Sequence, residues 1–245
     1  MKKFSAFLYG MALVLMISGS ANATLITIGT VGYGGADYKL IWDNDNNGNS
    51  VVWLDYTNNS HVWAVQKKWA SDLNMNGTLT YNIDPVYSVE WGAGEWRLPR
   101  TVDGVWKQGY GGTTTAGYNI TSSEMGHLFY DELQNLGRYS TSGISRPLGV
   151  YGWWNSGIFD NVGGAANAKI LWSDTEYASG RAQAWVLHPN GFQTLGSKPS
   201  TYNAIVIRSA RVSTTSVPEP ATMALFGLGL IGLAGAGSRK KRSRV

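Results

Sequence analysis

The chain contains no cysteine among its 245 residues. Disulfides, thiolate zinc sites, iron–sulfur clusters and cysteine nucleophiles are therefore excluded. Charged residues make up only 15%, and there are three histidines and seven prolines. His61, His127 and His188 show no H-E-x-x-H or related metal-binding spacing. His61 and His127 fall on expected helices and His188 at an expected turn, which points to structural or solvent roles. What abounds is glycine (31), tyrosine (13) and tryptophan (11), within a chain that is 43% hydrophobic. Such a chain has the apolar surface to bury a core and is not disordered.

A formal net charge of +4 overstates how basic the molecule is. Lys2 and Lys3 lie at one end, and Arg239, Lys240, Lys241, Arg242 and Arg244 at the other. Of the acidic residues only Glu219 lies in the tail, so the middle is slightly acidic. The basicity belongs to the termini, and no nucleic-acid-binding face is implied.

Both ends carry targeting features. Lys2 and Lys3 precede an apolar stretch, Phe4 to Ile17, followed by Ala21-Asn22-Ala23. This is the pattern of a secretory signal peptide over residues 1–23, with Ala21 and Ala23 presented to a signal peptidase. At the other end, Val217-Pro218-Glu219-Pro220 precedes an uncharged span, 221–237, and then the basic tail 239–244. A helix over that span would measure about 26 Å, slightly under the ~30 Å hydrocarbon core. The basic tail is expected to stay cytoplasmic and the body outside.

The Pro-Glu-Pro segment, the Gly/Ala/Leu-rich span and the terminal Arg/Lys cluster together resemble the PEP-CTERM sorting signal. The resemblance implies export in a Gram-negative bacterium, transient anchoring in the inner membrane, and processing by an exosortase. It also implies an association with exopolysaccharide and biofilm matrix. Prolines 218 and 220 would keep the segment extended for a protease.

Removing the ends leaves a body, residues 24–212, large enough for one domain with a good core, and a short polar linker at 213–216. Strands are expected at Leu25–Ile28, Tyr38–Trp42, Val51–Leu54, Lys169–Ser173 and Ala204–Val212. A hairpin is expected around His188-Pro189-Asn190-Gly191. One helix is expected over Ser60–Leu73, with Val62, Val65, Trp69 and Leu73 on its apolar face. A second is expected from Thr121, with Thr121 and Glu124 as a capping box and Gly137 as its terminator. Strands at both ends suggest that the termini pair in one sheet. The fold class is α+β.

Several segments occur in an order similar to that of the C-terminal domain of Lcl-type collagen-like adhesins. They are Trp69–Leu73, Glu95–Pro99, the second helix, Leu171–Ser179, Ala184-Trp185, Asn190-Gly191 and Ile207-Arg208. The resemblance implies a C-type-lectin-like single domain with a mixed sheet, two helices and long Gly-rich loops. In one branch it implies binding of sulfated or other polysaccharides. Where that family often has cysteine near the last strand, this chain has Ser209.

Four groups of residues are candidate sites. Asp43, Asp45 and Asn47 alternate like the first half of a calcium loop, although a polar hairpin turn uses the same residues. Glu95–Pro99 could present Arg97 at a surface, or bury Trp96 and Leu98 with Arg97 paired to a carboxylate. Asp174 and Glu176 could form a glycosidase pair or a polar loop. Tyr151, Trp153 and Trp154, with Tyr110, Tyr118 and Tyr139, lie in Gly-rich stretches at 109–118 and 137–164, where aromatic faces can stack on sugars or anchor loops. The sequence is read as an exported, non-enzymatic, adhesin-like module. The alternatives are a carbohydrate-active enzyme and a structural matrix component.

Overall fold

Two apolar runs, Val51–Leu54 and Ala204–Ile207, set the architecture. Successive residues of a strand point to opposite faces, so a continuous apolar run marks a strand covered on both sides. Val52, Leu54, Ala204 and Val206 belong to one buried cluster, whereas Val51, Trp53, Ile205 and Ile207 belong to another. The two runs lie in adjacent antiparallel strands, with Val206 opposite Leu54 and Ile207 opposite Trp53.

In this computed structural model, residues 24–164 and 169–215 are described. The expected signal peptide (1–23), sorting motif (Val217, Pro218, Glu219, Pro220), transmembrane span (221–237) and basic tail (239–244) lie outside them. In chain order the elements are β1 (Leu25–Tyr33), β2 (Ala36–Asn46), β3 (Asn49–His61), α1 (Trp63–Asp72), β4 (Thr80–Ile83), β5 (Tyr87–Trp91), β6 (Gln108–Gly109) and β7 (Ala116–Gly117). Then come α2 (Glu124–His127), a π-helical turn (Leu128–Glu132), β8 (Leu171–Glu176), β9 (Gln183–Leu187), β10 (Gln193–Ser197) and β11 (Tyr202–Thr214). The strands join in the order β4-β1-β2-β3-β11-β8-β9-β10-β7-β6, with β5 on the far half of β11. The β11–β8 and β6–β7 pairs are parallel and the others antiparallel. The sheet is mixed and the class is α+β. Among the described residues, no helix is long and apolar enough to cross a membrane.

The first cluster packs α1 on one face: Trp63 and Ala70 meet Leu40, Val52, Trp96, Trp172 and Val206. The second packs α2 and its π-turn on the other: Met125, Leu128, Phe129 and Leu133 meet Ile41, Trp53, Trp153, Phe159 and Ile207. Each fully buried aliphatic side chain of this kind contributes about 1.5–3 kcal/mol.

Several expectations need correction. The apolar face of α1 is offset from the expected one: Trp63, Gln66 and Ala70 are buried, while Val65 is 46% exposed. Ser60 and His61 end β3 rather than starting a helix. The terminal strands β1 and β11 share a sheet but are separated by β2 and β3. Residues 213 and 214, expected in a linker, pair with Ser88 and Tyr87 of β5. The Thr215 hydroxyl then donates to the carbonyl of Pro85.

The second helix begins two residues later than expected. Ser123 is its cap, accepting from the Gly126 amide at 3.0 Å. Glu124 cannot close a capping box because its carboxylate is engaged by Arg97. The helical run stops at Leu133, and Gln134 takes a left-handed conformation (φ 53°), so Gly137 is not the terminator.

Candidate functional site

The Glu95–Pro99 segment is built as its sequence suggests. Trp96 and Leu98 are each 1% exposed. Between them, Arg97 donates from Nη1 and Nη2 to the two oxygens of Glu124, each at 2.7 Å. Glu124 Oε2 also accepts from the Arg100 amide at 2.6 Å. This planar two-point pairing suits guanidinium and carboxylate. It ties the segment to the start of α2 and is structural.

Asp43, Asp45 and Asn47 sit where β2 turns into β3, and the turn itself engages their oxygens. Asn47 (φ 53°) and Gly48 (φ 79°) form the two-residue loop, the left-handed pair that matches strand twist. Asp45 Oδ1 accepts from the Gly48 amide at 3.0 Å. Asp43 is fully buried and accepts from Trp53 Nε1 at 3.1 Å and Asn46 Nδ2 at 2.9 Å. Its Oδ1 accepts from the Asp45 amide at 3.3 Å, and beyond these donors it faces α2.

There Asp43 meets His127 and Glu132, and one ligand atom from each lies within 4.8 Å of the other two. The π-turn makes this meeting possible. A wider turn brings residues five apart onto one face, and the Leu133 amide bonds to the Leu128 carbonyl accordingly. His127 Nε2 lies 3.3 Å from Glu132 Oε1, and its Nδ1 lies 3.1 Å from Asp131 Oδ2. The Glu132 side chain is 2% exposed and that of His127 12%. The Glu132 hydrogen bond, with the nearby Asp43 and Asp131 charges, raises the affinity of His127 for its proton. Burial raises the carboxyls of Asp43 and Asp131 above their ordinary range. Sequence reasoning gave His127 a structural role and did not find Glu132. The only available signal was a His and a Glu five apart, invisible to a 3.6-residue period.

Asp174 and Glu176 are both ion-paired. Asp174 receives Lys67 at 2.9 Å and Arg100 at 3.4 Å. Glu176 receives Lys198, with Arg181 at 3.8 Å. The Lys198 ammonium holds the Glu176 carboxyl below its usual range. Lys67 and Lys198 also lie over the Trp63 ring, at 4.7 and 4.2 Å from its centre. Beside them is a cleft of about 400 Å³, lined by Lys67, Glu95, Trp96, Arg100 and Asp174 among others.

The aromatic candidates divide. Trp153 is a core residue, 2% exposed and edge-on to Phe129 with centroids 5.4 Å apart. It is not available for stacking on a ligand. Trp154 is 56% exposed, its Nε1 donating to the Tyr151 carbonyl at 2.5 Å. The two Gly-rich segments meet through their tyrosines. Tyr139 lies 5.0 Å from Tyr110 and 5.1 Å from Tyr118, and Tyr118 lies 5.1 Å from Phe192 in the β9–β10 turn. The Arg138 amide donates to the Asn190 carbonyl at 2.9 Å, and its guanidinium lies 5.6 Å from the Tyr139 ring centre. Tyr118 is buried, Tyr139 and Tyr151 are half-buried, and Tyr110 is exposed.

Comparison with known families finds the PEP-CTERM protein-sorting motif at residues 216–241. No curated protein and no solved structure matches the chain. The sorting motif indicates an exported protein that is anchored transiently in a membrane and processed by an exosortase.

Proposed function

We propose that the exported body is a non-enzymatic, adhesin-like module that binds polysaccharide at the surface or in the matrix of a Gram-negative bacterium. The sorting motif supports export, and in a biofilm matrix exopolysaccharide would be the neighbour to bind. The observation that carries the binding assignment is the meeting of exposed Tyr110 and half-buried Tyr139, from two separate loops, over buried Tyr118, with exposed Trp154 in the same long loop as Tyr139. Aromatic rings present an apolar face to sugar C–H surfaces while their polar tips bond to hydroxyls. Arg138 beside Tyr139 adds a cation suited to acidic or sulfated sugars.

The Lcl-like order of segments and a C-type-lectin-like plan fit this reading. Two helices pack on a sheet that holds both terminal strands, and long loops gather at one turn. The paired-carboxylate reading is less favoured. A glycosidase needs one carboxylic acid whose proton is held near neutral pH, whereas Asp174 and Glu176 are both engaged as ion pairs with lysine and arginine.

The test is retention of the purified full chain on immobilised neutral and acidic polysaccharides. Binding is expected, and Trp154→Ala or Tyr110→Ala should weaken it about tenfold without changing the circular dichroism spectrum. Retention unaffected by both substitutions would remove the aromatic site. Release of reducing sugar, abolished by Glu176→Gln, would replace the module with an enzyme. Lack of both retention and hydrolysis would favour a structural matrix role. In an exosortase-bearing host, mass spectrometry should find the C-terminus trimmed near Pro218-Glu219-Pro220.

A further inference from the structure

We propose that Asp43, His127 and Glu132 form a binding site for a first-row divalent transition ion of the zinc type, linking the β2–β3 hairpin to the π-turn.

The geometry is close to what such an ion requires. Zinc bonds of about 2.0–2.2 Å to nitrogen and carboxylate oxygen set ligand atoms about 3.4 Å apart in a tetrahedron. His127 Nε2 and Glu132 Oε1 are 3.3 Å apart, and Asp43 completes a set within 4.8 Å. A shift of about an ångström in one carboxylate would close it. The donor types choose the ion. An imidazole with two carboxylates suits zinc and its neighbours, whereas calcium asks for six or more oxygens.

Two further observations point the same way. A metal-bound histidine usually donates its other ring N–H to a carboxylate, which fixes its orientation. Here Asp131 Oδ2 stands 3.1 Å from His127 Nδ1, leaving Nε2 toward Glu132. Second, Asn46 is fully buried, and its Oδ1 has no hydrogen-bond partner among the described residues. Its Nδ2 donates to Asp43 Oδ2 at 2.9 Å and to the Glu124 carbonyl at 3.3 Å, so the amide group adjoins the cluster. A buried amide oxygen without a donor is costly, and a water held by a cation on Asp43 would supply the missing donor. In the β2–β3 loop, by contrast, Asp45 Oδ1 accepts from the Gly48 amide and Asp43 Oδ1 from the Asp45 amide, as in a hydrogen-bonded hairpin turn.

The competing explanation is that His127 stays doubly protonated and bridges the carboxylates without a metal. Titration of the detergent-solubilised, chelator-stripped full chain with zinc chloride decides between them. One equivalent should bind at micromolar affinity or tighter and raise the thermal midpoint. Cobalt(II) should give visible absorption bands from the same site. His127→Ala and Glu132→Gln should each weaken binding at least a hundredfold, and Asp131→Asn about tenfold. Millimolar calcium should not compete. If His127→Ala fails to fold, Glu132→Gln and Asp131→Asn keep the side-chain volume and carry the test. No stoichiometric zinc binding, or binding equal in wild type and these variants, would overturn the site. So would displacement of zinc by calcium with sensitivity to Asp45→Asn alone.

Discussion

Arg97 and Glu124 face each other through two parallel hydrogen bonds of 2.7 Å, with side chains only 20% and 16% exposed. The pair joins the strand-like segment after Gly94 to the first residue of α2. Because both groups are largely out of water, removing one leaves the other poorly compensated. Arg97→Met and Glu124→Leu should each lower unfolding free energy by about 3 kcal/mol, and the double variant by less than the sum. A double-mutant cycle by urea denaturation measures this. Additive losses would show that the two residues do not stabilise one another.

Trp153 and Trp154 are neighbours with opposite environments, 2% and 56% exposed. Trp153→Ala should cost about 3–5 kcal/mol, the range for emptying a core position of that size. Trp154→Ala should change stability by less than about 0.5 kcal/mol, as surface changes do. Thermal unfolding of both variants checks the contrast, and equal losses would place both rings in the core.

Gly48 lies in open space, with nothing within 4 Å of an added Cβ, yet its φ is +79°. A substitution there therefore tests backbone conformation alone. Gly48→Ala should destabilise by about 1–2 kcal/mol, the cost of the left-handed region for an L-residue. Denaturant midpoints measured with and without the substitution would report it.

Burial pushes the His188 imidazole below its ordinary value of 6.5. The unfolded chain accepts that proton near 6.5, while the folded chain resists it. This contribution to stability is therefore present above 6.5 and is lost as pH falls below it. His127 has the opposite sign, because its carboxylates raise its proton affinity. The difference between wild type and His188→Asn isolates the first effect: the variant should lose less stability between pH 7.5 and 5.5. An unchanged slope would mean that His188 titrates as if exposed.

The chain announces some of this fold directly. Asn47-Gly48 between two apolar runs specifies the β2–β3 hairpin, and Val51–Leu54 and Ala204–Ile207 read as strands because β-branched residues dominate them. Thr80–Ile83 was not legible, since three of its four residues are exposed and it is held by pairing to β1. The start of α2 was misread because Thr121 and Glu124 have capping-box spacing, and only the fold brings Arg97 to Glu124. The cluster at Asp43 was half legible. Asp43 has the ligand type, but its companions come from the end of α2 and the π-turn, distant in sequence. Trp153 and Trp154 are chemically identical in the sequence, and the packing of Phe129 against one of them separates their roles.

The final strand, β11, is paired with β3 along one half and β5 along the other, and it ends at Thr214, just before the sorting motif begins at residue 216. Of the described residues, a tug on the membrane side would therefore load β11 first, at the centre of the sheet. It would run along the strand axis, so many crosswise hydrogen bonds must yield together instead of one by one. The tether point of the exported body is thus also its mechanical spine.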